Sequence, residues 1–234
     1  MLTGFLRHWL LTRQQTRFYR TIIKPEDTVF DVGANVGQRS GIFARLCRKV
    51  VAFEPQPSCL KQLRSNFKNT SRVIIEDVGL SDSAGELVMY ECDADVLSSC
   101  APTHIEQMKQ ERFKSRVWER TRNIRVVTLD AMIEKYGHPT FIKIDVEGYE
   151  LNVLQGLSVP IERLSFEYAS ETINTARQCV EQLMKLSDYR FNYCVGEDLN
   201  YVLPEHVNAQ DFIERVIPEM SSTHLLWGDI YAID

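Results

Sequence analysis

A chain of 234 residues, 44% apolar and 25% charged, can bury one sizeable core and has the balance of an ordinary soluble protein, which excludes the disordered and fibrous classes. Its net charge of −5 speaks against nonspecific binding to nucleic acid. No stretch approaches the roughly 18–20 uninterrupted apolar residues of a membrane span, and Arg7 and His8 break the opening apolar run, so neither an integral membrane segment nor a cleavable signal peptide is expected.

The charge is unevenly placed. Residues 1–25 carry Arg7, Arg13, Arg17, Arg20 and Lys24 and no acid, and residues 103–125 carry Lys109, Arg112, Lys114, Arg116, Arg120, Arg122 and Arg125 against three glutamates. The expected organisation is a basic helical extension over 1–25 and one domain over 26–234, with an insert around 93–125. Phe5, Leu6, Trp9 and Leu10 give the extension an apolar side that caps its own domain, the alternatives being a membrane surface or a second subunit in a homodimer. The six cysteines, Cys47, Cys59, Cys92, Cys100, Cys179 and Cys194, show neither a CxxC pair nor metal-ligand spacing and read as reduced thiols of a cytoplasmic protein.

Along the chain, Thr28–Val32 is a short β-branched run ending in a glycine-containing turn, followed by a helical pattern from Gly37 to Cys47. Lys49–Phe53 repeats the strand pattern, Ser58–Phe67 has helical spacing, and Val73–Ile75 makes a third strand. Alternation of this kind signals a doubly wound α/β fold, a mostly parallel sheet with helices on both faces. Gly85–Tyr90 departs from it as one arm of a hairpin. After the basic insert, Thr128 caps a helix over Leu129–Tyr136. The series closes with strand Phe141–Asp145, helix Tyr149–Leu157, strand Leu164–Tyr168, a helix around Ile173–Leu186, and strands Arg190–Val195 and Leu225–Ile233.

The strongest chemical signal is Asp31-Val32-Gly33-Ala34-Asn35-Val36-Gly37, a D-x-G-x-x-x-G loop between the first strand and first helix. Gly33 and Gly37 let the backbone turn tightly and approach a ligand, with Asn35 between them and the free amides of the helix start facing a carboxylate. Glu54, ending the second strand, is placed to accept both ribose hydroxyls of a nucleoside. A dinucleotide would need a second glycine where Ala34-Asn35 stands, and Asp31 would repel its pyrophosphate. An acid there suits a ligand carrying an ammonium group, such as S-adenosylmethionine. At the third strand Asp77 is a candidate for the adenine amine and Val78 for the ring, with a solvated turn acid as the other reading of Asp77.

With these segments, Val51-Ala52-Phe53-Glu54-Pro55, Gly79-Leu80-Ser81-Asp82, Val127-Thr128-Leu129-Asp130 and Phe141-Ile142-Lys143-Ile144-Asp145-Val146-Glu147-Gly148-Tyr149-Glu150 in order, the chain resembles the FkbM family of methyltransferases from about Thr28 to Tyr168. The resemblance implies the Rossmann-like class I methyltransferase sheet, seven strands ordered 3-2-1-4-5-7-6 with strand 7 antiparallel and C-terminal. It also implies O-methylation of hydroxyls on sugars, polyketides and other small molecules.

Methyl transfer from a sulfonium needs in-line positioning above all, and a hydroxyl nucleophile adds use for a base or a metal. Asp145, at the carboxyl end of the fourth strand, is the leading candidate. Lys143 shares its face and would lower its pKa or hold an acidic substrate, and Glu147 could join it as an oxygen ligand for Mg²⁺. Glu167 ends the fifth strand near the acceptor, Glu150 reads as a helix-dipole acid, Ser98 and Ser99 open the insert, and His104 and His138 are possible bases. Phe113 and Trp118 amid the basic residues suit a lid or a solvated helix face. The resulting expectation is an S-adenosylmethionine-dependent O-methyltransferase of a small-molecule or glycan hydroxyl. Its rivals are a protein nitrogen methyltransferase, a noncatalytic cofactor-binding module and a nicotinamide oxidoreductase.

Overall fold

Eight apolar segments hydrogen-bond into one sheet in a computed structural model of the chain, which describes residues 2–197 and 199–234, with side chains from Trp9 onward. Phe5 and Leu6 of the apolar extension lie outside those described side chains. Helix α1 (Leu2–Tyr19) leaves Trp9 and Leu10 exposed and buries its far end, where Tyr19 packs edge-on against Phe43 at 4.8 Å between ring centroids.

The first three strands, β1 (Thr28–Val32), β2 (Lys49–Phe53) and β3 (Val73–Glu76), alternate with α2 (Gln38–Leu46) and α3 (Pro57–Phe67). They run parallel, Thr28 opposite Lys49 and Val50 opposite Val73. Strand β1 is buried along its whole length because helices cover both faces. Phe30 and Val32 join one apolar cluster with Ile142 and Ile144, while Val29 joins the other with Phe43 and Phe141.

The chain then leaves the main sheet for a small one made of β4 (Gly79–Leu80), β5 (Gly85–Glu91) and β6 (Arg120–Val127). The expected hairpin arm is β5, and its partner β6 lies beyond the insert, antiparallel from Gly85 opposite Val126 to Glu91 opposite Arg120. The insert is therefore helical only in part, as α4 (Pro102–Gln110). Arg120, Arg122 and Arg125 lie on a strand, because Ile124 and Val126 alternate inward onto Met89 while Arg120 and Arg122 pair with Glu91.

The main sheet resumes with α5 (Leu129–Tyr136), capped by Thr128 Oγ1 accepting from the Ala131 amide at 3.1 Å, then β7 (Phe141–Ile144) and α6 (Glu150–Gln155). Next come β8 (Arg163–Ala169), α7 (Ile173–Leu183) and β9 (Arg190–Tyr193). A two-residue strand β10 (Val207–Asn208) leads into α8 (Ala209–Asp211), which continues through a π turn at Phe212–Val216 into α9 (Ile217–Ser222) and on to β11 (Trp227–Ile233).

The order β3-β2-β1-β7-β8-β11-β9 is that expected for class I methyltransferases, and β11 runs antiparallel to both its neighbours. The sheet has eight strands rather than seven because β10 adds to the free edge of β9. Asn192 straps the returning chain alongside: its Oδ1 accepts from the Leu203 amide and its Nδ2 donates to the Leu203 carbonyl, both at 3.0 Å. All six cysteines are unbridged, and no described helix is long and apolar enough to cross a membrane.

Candidate functional site

The carboxyl ends of β1, β2, β7 and β8 open into a cavity of about 600 Å³, walled on the far side by the β4-β5-β6 sheet and α4. A cavity of this size suits a cofactor with a small acceptor beside it.

The glycine loop forms its floor. Gly33 has φ +81°, and a Cβ on it would stand 1.7 Å from the carbonyl oxygen of Asp145, so this position tolerates no side chain. Asn35, also left-handed at φ +50°, donates its amide to Glu54 Oε2 at 2.8 Å, while the Gln56 amide donates to Oε1 at 2.7 Å. Glu54 thus faces the cavity in a fixed orientation; burial pushes its pKa up to about 7 against the lowering effect of those two amides. Asp31 lines the cavity almost fully buried, accepts from Ser40 Oγ, and is raised by burial. Val78 lines the wall.

Two expected cofactor residues sit elsewhere. Asp77 does not line the cavity and points to solvent in an ion pair with Arg64 at 3.0 Å, the placement of the solvated turn acid that was its other reading. Gly37 does not line the cavity; its φ of +87° and the approach of Leu63 and Phe67, within 2.6 Å of where a Cβ would lie, make it a packing glycine.

Opposite Glu54, Asp145 continues β7 into the cavity and meets Glu147 and Glu167, the three offering carboxylate oxygens within 4.8 Å of one another. Lys143 does not line the cavity. It is 1% exposed and donates to Asp145 Oδ2 at 2.8 Å, with Asp229 of β11 at 3.5 Å behind it, a position that tunes Asp145 and leaves nothing for an acidic substrate. Burial raises Asp145, but the Lys143 ammonium more than offsets this and holds the carboxyl below its usual range. Burial and the charge of Asp145 push Glu147 well up, and burial with Glu147 and Asp145 does the same to Glu167. The three carboxylates thus crowd one another with opposed shifts, Asp145 held down by Lys143 and Glu147 and Glu167 pushed up by burial and by their neighbours.

The turn that presents Glu147 is held by Glu150, whose Oε1 accepts from the Val146 and Gly148 amides, both at 3.1 Å. Glu147 is left-handed at φ +53°, and Ser99 Oγ donates to its carbonyl at 2.6 Å. His104 packs its ring on Gly148 and lines the cavity, and burial drives its pKa down to about 4. His138 bonds only its neighbour Pro139, outside the cavity. Ser98 lines the cavity and accepts from the Cys92 amide at 3.1 Å.

The basic insert, with residues that sequence reasoning did not single out, completes the site. Arg112 of the insert holds Glu171 with two bonds of 2.9 Å, pinning the α4 wall to the end of β8. Phe113 lines the cavity, whereas Trp118 donates to the Leu97 carbonyl at 2.8 Å. Asp229 was detectable as an acid inside an otherwise apolar strand; Arg39 and Glu197, which meet at 2.7 Å, carried no sequence signal.

Among solved structures the fold is similar to the methyltransferase FkbM of Methylobacillus flagellatus KT, with a TM-score of 0.51 and 16% identity over 94% of this chain and 50% of that one. It is also similar to the precorrin-6y C5,15-methyltransferase of Geobacter metallireducens GS-15, with a TM-score of 0.50 and 12% identity over 94% and 88%. In sequence the chain is 28% identical over 144 residues to the hexuronic acid methyltransferase AglP of Haloferax volcanii, covering 60% of this chain and 54% of that protein. It is 25% identical over 156 residues to the 2-O-methyltransferase NoeI of Sinorhizobium fredii, covering 62% and 63%. The chain therefore spans a little over half to somewhat under two thirds of these curated relatives. The model of the methyltransferase FkbM domain matches residues 31–193, well over half of the chain and the whole stretch from Asp31 to the end of β9, and the protein belongs to that family.

Proposed function

We propose that this chain is an S-adenosylmethionine-dependent O-methyltransferase whose acceptor is a hydroxyl of a sugar or related small molecule. The observation that carries the reading is the pairing, across one cavity, of a nucleoside-type acid at Glu54 with an ionised Asp145 held ready by Lys143. The two curated relatives are a hexuronic acid methyltransferase and a 2-O-methyltransferase, which supports a sugar acceptor and an oxygen nucleophile.

In this reading Glu54 takes the ribose hydroxyls, Val78 packs on the adenine, and the Gly33–Asn35 backbone lies under the sulfur, with Asp31 toward the ammonium group. S-adenosylmethionine, when bound, would supply an electrophilic methyl group on its sulfonium, and Asp145 would take the proton of the acceptor hydroxyl as the methyl group is transferred. Lys143 favours the ionised form of Asp145, and Glu147 and Glu167 line the cavity beside it, where they face the acceptor. The same three carboxylates are the donor set an Mg²⁺ ion would use, where it would stabilise the acceptor oxyanion. Retention of activity in EDTA would leave the three carboxylates to proton handling alone, and loss restored by Mg²⁺ would assign them the ion.

The test is transfer of label from methyl-tritiated S-adenosylmethionine to a panel of sugars, uronic acids and peptides. Label is expected in sugar methyl ethers, falling about 10²- to 10⁴-fold in Asp145→Asn, and label in a uronic acid methyl ester instead contradicts the hydroxyl acceptor. Label on peptide nitrogen, or transfer indifferent to Asp145→Asn, contradicts the proposal.

A further inference from the structure

A cofactor with a free carboxylate poses a difficulty in this cavity, whose lining bears eight carboxylates against only two arginines among the described residues. One of the two, Arg112, is committed through two bonds to Glu171 on the insert side. The other, Arg39, stands in the first turn of α2, directly after the glycine loop. Arg39 lines the cavity beside Asp31 and Gly33, its guanidinium carbon 6.0 Å from the centre of the Tyr19 ring of α1.

In the structure Arg39 Nη2 is held by Glu197 Oε2 at 2.7 Å, and Gln15 Nε2 of α1 donates to the same oxygen at 2.8 Å. Glu197 also lines the cavity, yet it belongs to the loop after β9, at the opposite side of the sheet from β2. The Arg39 side chain is 18% exposed and that of Glu197 is 47% exposed, so the anion is the more easily displaced partner.

We infer that Arg39 is the seat of the carboxylate in the methionine portion of the cofactor, and that Glu197 occupies it as a stand-in carboxylate until the cofactor arrives. This rests on the S-adenosylmethionine reading above. With the nucleoside held at Glu54, the amino acid portion runs past Gly33 toward Asp31, and Asp31 with Arg39 supplies one charge of each sign for the ammonium and carboxylate groups. Displacing the Glu197 carboxylate also removes the nearer of the two acceptors of Gln15, leaving the Glu197 carbonyl at 3.5 Å, so cofactor binding is coupled to the seating of α1 on the loop after β9.

The experiment is calorimetric titration of the full chain with S-adenosylmethionine and with decarboxylated S-adenosylmethionine, which keeps the sulfonium and the ammonium and lacks only the carboxylate. Arg39→Met is expected to lose about 10- to 100-fold in affinity for S-adenosylmethionine, the worth of a charged hydrogen bond, and to bind the decarboxylated ligand as the wild type does. Glu197→Gln, which loosens the stand-in, is expected to tighten the first ligand and leave the second unchanged; it carries the test alone if Arg39→Met does not fold. Equal effects of these variants on both ligands overturn the assignment of Arg39 while leaving the cofactor in place. Failure of the wild type to bind either ligand removes the cofactor reading itself.

Discussion

Lys143→Met takes the one buried ammonium from between two carboxylates. Lys143 keeps 2% of its side chain exposed and Asp229 8%, while Asp145 keeps 37% because it opens to the cavity. Removing one partner of a buried ion pair costs about 3–5 kcal/mol, and the exposure of Asp145 argues for the lower end, about 3 kcal/mol. For a chain of this length that corresponds to a fall in Tm of about 6–12 °C. The loss depends on pH in a definite direction. In the wild type the pKa of Asp145 is lowered by folding, so its contribution is present at neutral pH and lost as pH falls through the folded-state value. In the variant, Asp145 loses its nearest cation, its folded pKa rises, and the fold gains stability as it takes up a proton. The difference in Tm between wild type and variant therefore narrows from pH 8 toward pH 4. Differential scanning calorimetry across that range reads it directly. A Tm difference that is negligible, or that stays constant with pH, refutes the account of Lys143 as the counter-ion of the site.

Two further outcomes follow from the cofactor wall. S-adenosylhomocysteine affinity should rise with pH through about 7, where Glu54 ionises and can accept from the ribose; Glu54→Gln should weaken binding by about 10- to 100-fold and flatten that dependence, as titration calorimetry at several pH values would show. Asp77→Ala removes only an exposed pair with Arg64 and should leave the affinity unchanged, whereas a loss would return Asp77 to the adenine.

Much of this was legible in the chain because each signal was local. Thr28–Val32 and Lys49–Phe53 stand where the β-branched runs place them, and Thr128 caps its helix as its side chain allows. Asp145, Glu147 and Glu167 converge because parallel neighbours β7 and β8 end at one edge, a consequence of strand order. What was not legible depends on contacts between distant segments. Whether Asp77 turns inward is decided by Arg64 one turn before the end of α3, and the basic run 120–125 becomes a strand because Met89 and Glu91 wait opposite it. Arg39 differs from any surface arginine only through Glu197, far along the chain. The two-residue edge strand β10 pairs Val207 with Phe191 just beyond the Leu203 segment that the Asn192 side chain holds, a partnership no periodicity announces.

In the function proposed above, S-adenosylmethionine fills the cavity beside Asp31, Gly33 and Glu54. The most direct test of this is titration of the purified chain with S-adenosylhomocysteine and, separately, with NAD. One saturable site for S-adenosylhomocysteine, abolished or strongly weakened in Gly33→Val, and no heat with NAD, is the predicted result. Binding of NAD without S-adenosylhomocysteine, or of neither, contradicts it.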